Sequence, residues 1–232
     1  MKKKVIAIIV ILLMFTPIIS FADDESEDDN QFEEILGEIQ EASAEAETEP
    51  IINSKSAVVI DRESKRILYS KNANEKRAMA STTKIMTCLI ALENSKLDEI
   101  VTVSEKSAST GGSRLGLFAG DKISINDLLY GLMLRSGNDA AMQIAETIGG
   151  SCENFAKMMN KKAREIGLKN TNFVTPHGLD NENHYTTAYE LALLTDYALN
   201  NEKFAEIVSC KKRIILINKQ QREIYNTNEL LR

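Results

Sequence analysis

The stretch ASTTKIMTCLIALEN, residues 80–94, carries most of what the sequence predicts about the fold. Beyond Ser81 its side chains are apolar nearly all the way round, which is typical of a helix buried in a core. Asn94 is a residue at which such a helix can end. Ser81 and Lys84 lie three residues apart, and side chains at that spacing share one face of a helix. We therefore predict a buried helix that begins at Ser81 and brings the Ser81 hydroxyl close to the Lys84 amine.

A serine and a lysine held together in this way can form the reactive pair of a nucleophilic enzyme. A serine hydroxyl is a weak nucleophile and needs an adjacent base. A lysine can be that base where burial in an apolar site disfavours its ammonium form. The motif is short, and a second copy, Ser209 to Lys212, lies in a basic stretch that we interpret as solvated surface. The alternative for Ser81 is a simple helix cap beside an exposed Lys84.

Ser136 and Asn138, separated by one glycine, form a second polar motif between two predicted helices. A tight turn there can direct both side chains into a cleft. The Ser136 hydroxyl can then relay a proton to a leaving amine, and the Asn138 amide can hold a substrate carbonyl or orient Lys84. The alternative is a loop with a helix cap at Asn138. Residues 124–126 have the same pattern, and there we expect only a cap.

Short strands flank a central block of helices in the rest of the pattern. Residues 57–60 and 66–69 predict an antiparallel hairpin, and residues 213–217 and 223–225 predict a second one. Four helices are expected between the hairpins, starting after Ser124, near Ala140, after Ser151 and after Thr187. Ser124 with Asp127, and Thr187 with Glu190, each predict a capping box, in which the carboxylate three residues after the cap completes the box. The glycine-rich residues 109–120 predict a loop and lack a phosphate-binding signature. Strands, then helices, then strands are typical of an α+β fold.

The first 50 residues differ in composition from the rest. Residues 1–22 combine three lysines, an apolar run and a small-x-small end, which predicts an export signal and an extracytoplasmic location, in the cell envelope or secreted. The alternative is an uncleaved membrane anchor. Residues 23–50 hold 13 of the 34 acidic residues and no lysine or arginine, which predicts a disordered linker. Residues 51–232 form the predicted domain and carry no basic, aromatic-interleaved patch, so no nucleic-acid partner is expected.

Cysteine and histidine usage argues against two other classes of hydrolase. Cys88, Cys152 and Cys210 have no metal-binding spacing and no His-Glu-x-x-His motif is present, so we expect no metal, no zinc peptidase and no cofactor. A Ser-His-Asp hydrolase would need His177 or His184 as its base, but no Gly-x-Ser-x-Gly elbow occurs. His177 lies between a proline and a glycine, where a structural role in a turn is expected.

Ser-x-x-Lys followed about 55 residues later by Ser-x-Asn resembles the penicillin-binding proteins and the serine β-lactamases. The finer resemblance is to the low-molecular-mass penicillin-binding proteins that are serine-type D-alanyl-D-alanine carboxypeptidases. It rests on AVVID (57–61) with ASTTKIMT (80–87), SGNDAA (136–141), TPHGLD (175–180) with HYTTA (184–188), and NTNELL (226–231). These motifs occur in the family's order across residues 51–232.

The resemblance implies a transpeptidase-like fold, with an antiparallel sheet and a helical cluster. It implies that Ser81 attacks the peptide bond between two D-alanines, that Lys84 takes its proton, and that Ser136 and Asn138 assist. The implied partners are the peptidoglycan stem peptide as substrate and β-lactams as inhibitors, with peripheral association with the membrane or wall. A serine β-lactamase and a non-catalytic penicillin-binding module share the same motifs and remain the alternatives.

One family motif is absent from the 232 residues: the Lys-Thr-Gly of a core strand, which in relatives follows shortly after the NTNELL stretch. In the family this strand binds the substrate carboxylate. We accordingly expect a catalytic domain that is incomplete at its C-terminus and lacks its final sheet strands. On that expectation, the Ser81 helix loses the sheet face against which it packs, and residues 23–232 alone fold poorly and are inactive.

Overall fold

A computed structural model gives the architecture of residues 51–179 and 181–231. The predicted export signal (1–22), the predicted acidic linker (23–50) and Asp180 lie outside the described residues. Within the described part, antiparallel strands form three small sheets and the helices pack against one another. The predicted α+β class is therefore confirmed.

The first predicted hairpin is present, with β1 at Ala57–Ile60 and β2 at Ile67–Lys71. The two strands pair antiparallel, and Val59 lies opposite Tyr69. The Asp61 carboxylate accepts a hydrogen bond from the Ser64 N–H at 2.7 Å, which folds the connection back on itself. A short aspartate side chain is suited to that task in a turn.

The other strands form a two-stranded and a four-stranded sheet. Strand β3 (Arg77–Ala78) pairs with β6 (Tyr185–Thr186), and the larger sheet has the order β4 (Ile100–Thr102), β5 (Lys122–Ser124), β7 (Lys212–Ile217) and β8 (Gln220–Tyr225). Strands β7 and β8 are the second predicted hairpin. Asn218 and Lys219 connect them with φ of 53° and 66°, and positive φ at both central residues is what a type I′ hairpin turn requires.

Seven helices lie between and around these strands in the described residues. They are α1 (Lys84–Asn94), α2 (Glu105–Ala108), α3 (Ile125–Arg135), α4 (Asn138–Gly149), α5 (Cys152–Ile166), α6 (Ala188–Ala198) and α7 (Glu202–Ser209), with 3₁₀ turns at Ala80–Thr83 and Glu229–Leu231. All four helices predicted after the Ser81 helix are present, as α3 to α6. None of the described helices has both the length and the apolar character needed to cross a bilayer.

The predicted capping boxes are half right. Ser124 and Thr187 each accept a hydrogen bond from the backbone N–H three residues later, as expected of N-caps. The carboxylates expected to complete the boxes bind elsewhere. Asp127 accepts from the Leu216 N–H at 2.9 Å, and Glu190 accepts from the backbone N–H groups of Lys169 and Asn170 and from the Thr171 hydroxyl. Both carboxylates therefore join distant segments, because a tertiary partner competes with the local one.

Helix α1 is the centre of the core. Its Met86, Cys88 and Ala91 side chains are fully buried, and it packs against α3, α4, α5, α6 and α7. All of these neighbours are helices. The expectation that the helix loses a sheet face formed by later strands stays a prediction. A helix that is apolar all round needs contact on every side, and the surrounding helices supply it.

Candidate active site

The nucleophile candidate Ser81 lies in the 3₁₀ turn Ala80–Thr83, immediately before α1. Ala80 has a φ of 47°, a left-handed conformation that costs a non-glycine residue about 1–3 kcal/mol. The Ser81 side chain is exposed to solvent. Neither Ser81 nor any other side chain caps the turn or α1, so the alternative interpretation of Ser81 as a helix cap is wrong.

Lys84 is buried directly behind this serine, with 2% of its surface exposed. Its Nζ lies 3.1 Å from Ser81 Oγ and 2.9 Å from the carbonyl oxygen of His177. Burial lowers the pKa of Lys84 to about 8, although the nearby Asp139 carboxylate partly opposes that shift. At pH 7 about a tenth of the molecules then carry a neutral amine. In that form an N–H donates to His177 and the lone pair is available for the Ser81 proton.

The turn at His177 and Gly178 contacts both Lys84 and the Ala80–Thr83 turn that carries Ser81. His177 offers its carbonyl to Lys84, and its ring Nδ1 accepts a hydrogen bond from the Leu179 N–H at 3.1 Å. Gly178 has a φ of 84° and packs tightly on the turn before α1. A Cβ on Gly178 would lie 1.8 Å from the Ala80 carbonyl oxygen. Only glycine fits there, because both the conformation and the space exclude a side chain.

Gly178→Ala is therefore expected to lower the free energy of unfolding by about 3 kcal/mol, the combined cost of the left-handed conformation and of overpacking. Gly150→Ala is the matched control, since Gly150 has a φ of 71° and no atom within 4 Å of its added Cβ. That control should lose only about 1–2 kcal/mol. Urea unfolding of both variants measures the difference, and equal losses would show that the contact with Ala80 is unimportant.

Ser136 and Asn138 lie at the junction between α3 and α4. Ser136 is the half-buried C-cap of α3 with a φ of 54°, and Asn138 is the buried first residue of α4. The Asn138 amide donates to the Gly111 carbonyl oxygen at 2.7 Å. This hydrogen bond ties the beginning of the glycine-rich loop, residues 109–120, to the first residue of α4. Helix α4 packs against α1, and the Asp139 carboxylate next to Asn138 is close enough to affect the pKa of Lys84.

Asp139 is a functional candidate that the sequence interpretation missed. Its fully buried carboxylate accepts hydrogen bonds from the backbone N–H groups of Leu115, Gly116 and Leu117, at 2.8, 2.8 and 3.0 Å. It thereby holds the middle of the glycine-rich loop against the start of α4. The available signal was an acidic residue in the first turn of a helix, next to a motif already singled out.

The two histidines have partners other than Ser81. His184 Nε2 lies 2.7 Å from Thr83 Oγ1, and the His177 ring contacts the backbone of its own turn. Burial lowers the pKa of each ring to about 4, so both are neutral near pH 7. These contacts engage both rings with groups other than Ser81, whereas the Lys84 amine lies within hydrogen-bond distance of the Ser81 hydroxyl.

Comparisons with known proteins agree with this geometry. Residues 43–232 match the model of the D-alanyl-D-alanine carboxypeptidase family of serine peptidases. The chain belongs to this family. D-alanyl-D-alanine carboxypeptidase DacF of Bacillus subtilis is 41% identical over 77% of this chain and 48% of its own length. The corresponding figures for DacC of Escherichia coli are 36%, 66% and 44%.

A solved structure supports the carboxypeptidase-family fold. The Streptomyces DD-transpeptidase superposes with a TM-score of 0.74 at 32% identity, over 80% of this chain and 78% of its own. The predicted family and its penicillin-binding protein fold are thus confirmed. The chain spans about half the length of these two curated carboxypeptidases.

Proposed function

We propose that this chain carries the catalytic machinery of a penicillin-sensitive, serine-type D-Ala-D-Ala carboxypeptidase that acts on peptidoglycan stem peptides. The observation that carries the proposal is the contact of 3.1 Å between an exposed Ser81 hydroxyl and the buried Lys84 amine. A nucleophile must be accessible, and a lysine base must be desolvated. This pair meets both conditions, and family membership supplies the substrate class.

The reaction proceeds through an acyl-enzyme. Ser81 Oγ attacks the carbonyl carbon of the penultimate D-alanine while neutral Lys84 takes the hydroxyl proton. The C–N bond then breaks, and the departing amine of the terminal D-alanine takes up a proton that passes through Ser136. Water attacks the resulting ester, Ser81 recovers its proton, and the shortened peptide leaves. Backbone N–H groups at the helix start favour the negative oxygen that forms in both steps.

Asn138 and Asp139 support this chemistry by shaping the cleft. We assign the Asn138 amide to the substrate carbonyl and to holding the glycine-rich loop at Gly111. Asp139 keeps the same loop ordered and places a carboxylate near Lys84. Since that carboxylate raises the pKa of Lys84 against the effect of burial, the two together keep the base close to neutral pH.

Acylation should therefore depend on pH. The reactive form is the neutral amine of Lys84, so the second-order rate of penicillin acylation is expected to rise with pH and to level off above a pKa of about 8. The two histidines have already lost their protons well below that range, because burial lowers each pKa to about 4. Stopped-flow acylation between pH 6 and pH 10 measures the profile, and a rate that falls across it would exclude Lys84 as the base.

D-alanine release from a peptide ending in Lys-D-Ala-D-Ala tests the proposed reaction. It also tests the expectation that residues 23–232 alone are inactive, which release would refute and which the absence of both release and adduct would support. Release together with a slowly lost penicilloyl adduct supports a carboxypeptidase. A rapidly lost adduct without peptide cleavage supports the serine β-lactamase, and a permanent adduct without cleavage supports a non-catalytic penicillin-binding module. Transfer of the acyl group to an added amine would indicate a transpeptidase, the activity named for the Streptomyces neighbour.

The cellular location follows from the substrate. Peptidoglycan lies outside the cytoplasm, so we propose that the chain is exported by residues 1–22 and works in the cell envelope, with peripheral contact to the membrane or wall. Residues 23–50 would then act as a spacer, since their acidic composition favours an extended chain. Cell fractionation of an epitope-tagged chain tests this location.

A further inference from the structure

Ala80, the left-handed residue before Ser81, is connected to His184 by two buried hydrogen bonds through Thr83. The Thr83 hydroxyl donates to the Ala80 carbonyl oxygen at 2.7 Å and lies 2.7 Å from His184 Nε2. Thr83 is fully buried, and 2% of the His184 surface is exposed. The two residues are separated by 101 positions in the sequence. These hydrogen bonds therefore join the Ser81 turn to the segment around β6.

The hydrogen bonds in this chain have one consistent direction. His184 Nδ1 accepts from the Val174 N–H at 2.9 Å, so the ring proton must be on Nε2. Nε2 then donates to Thr83, and the Thr83 hydroxyl uses its own proton for Ala80. A buried network in which every member is satisfied is rigid. The Phe173 ring, edge-on to the imidazole at 5.9 Å, packs against the histidine.

Ala80 is the residue that needs such support. A left-handed conformation in a non-glycine residue persists only where its surroundings impose it. Its carbonyl oxygen is contacted by Thr83 and closely approached by Gly178. Because Ala80 directly precedes Ser81, its conformation sets where the Ser81 hydroxyl lies relative to Lys84.

We infer that His184 is a positioning residue, which acts through Thr83 to hold Ala80 in its left-handed conformation and thereby places Ser81 within reach of Lys84. The inference deepens the proposed function, on which its catalytic consequence rests. His184 does not touch the reacting atoms and moves no proton in the reaction. Its role is to fix the geometry of the nucleophile before substrate arrives.

Four variants separate this role from simple stability. Thr83→Val keeps the shape of the side chain and removes the hydroxyl, whereas Thr83→Ser keeps the hydroxyl. His184→Leu removes the donor, and His184→Gln places an amide N–H near the position of Nε2. Thr195→Val is the matched control, since the Thr195 hydroxyl donates to a helix carbonyl, that of Leu191, outside this network.

The kinetic readout is the acylation rate constant per active site, with sites counted by fluorescent penicillin. Thr83→Val and His184→Leu are expected to lower the rate constant by about 10- to 100-fold, as a displaced reacting group does, without changing the Kd of the complex that precedes acylation. Thr83→Ser and His184→Gln should recover most of the rate, and Thr195→Val should react as the unmodified chain does. A merely structural role would reduce the number of sites and leave the rate per site unchanged, which would overturn the inference.

The second readout does not depend on catalysis. Crystal structures of Thr83→Val and His184→Leu are expected to show Ala80 out of the left-handed region and Ser81 Oγ farther from Lys84 Nζ than 3.1 Å. Retention of both features would overturn the inference. If the unmodified chain is not acylated at Ser81, the proposed function fails, and the crystal structures still decide whether His184 positions the serine.

Discussion

Ser81→Ala is expected to abolish penicillin labelling and to lower D-alanine release by at least about 10⁴-fold, as the loss of a covalent nucleophile does in other serine hydrolases. The variant should keep its stability to within about 0.5 kcal/mol, the usual range for an exposed side chain away from special features. Ser81 is exposed and caps no helix, and its side chain forms a hydrogen bond with Lys84. Mass spectrometry of the treated protein and a thermal melt measure the two effects.

Ser209→Ala is the matched control for this experiment, because Ser209 belongs to the second Ser-x-x-Lys copy. Its hydroxyl donates to the carbonyl oxygen of Ala205 on the surface of α7. That variant should label at the same rate as the unmodified chain. Labelling that survives in Ser81→Ala, or disappears in Ser209→Ala, would mean that the nucleophile has been assigned to the wrong serine.

Lys84→Arg is expected to lower the acylation rate by about 10²- to 10⁴-fold, the usual contribution of a general base. A guanidinium cannot lose its proton at any pH in the working range, so it cannot accept the Ser81 proton. Raising the pH should not restore the activity, in contrast to the unmodified chain. The pH dependence of acylation in both proteins is the measurement.

Lys84→Met separates the loss of the base from a failure to fold. Methionine has a similar length and carries no charge, so its burial removes the desolvation cost of an ammonium group. This variant should unfold cooperatively and remain as inactive as Lys84→Arg. Acylation by Lys84→Met at the rate of the unmodified chain would show that another group activates Ser81.

Local patterns were sufficient to predict much of the fold. The β1–β2 hairpin follows from two β-prone runs and a short polar connection, and α5 begins after Ser151 and ends before Gly167, which has a φ of 91°. Each of these features depends on residues close together in the sequence. Strands β4 and β5 were missed because each has three residues, and their strand character comes from pairing with one another.

In the candidate site, too, local contacts were predictable and distant ones were not. The contact between Ser81 and Lys84 was predictable because three-residue spacing on one helical face brings the two side chains together. The contacts of Lys84 with His177 and of Thr83 with His184 join positions 93 and 101 apart, and no local pattern encodes them. Asp139 was missed for a related reason, since its partners lie 22 to 24 residues earlier, in a loop with no periodic pattern.

Peptide mapping of the penicillin-treated chain by mass spectrometry tests the central claim most directly. We expect one modified peptide, heavier by the full mass of one penicillin molecule, with the adduct on Ser81. A β-lactam loses no atoms when its ring opens on the serine, so the mass identifies the acyl-enzyme without ambiguity. The yield at a fixed short time should increase as the pH rises through about 8, following the pKa of Lys84. An adduct on any other residue would contradict the assignment of Ser81 as nucleophile, and a yield that does not increase with pH would contradict the assignment of Lys84 as base.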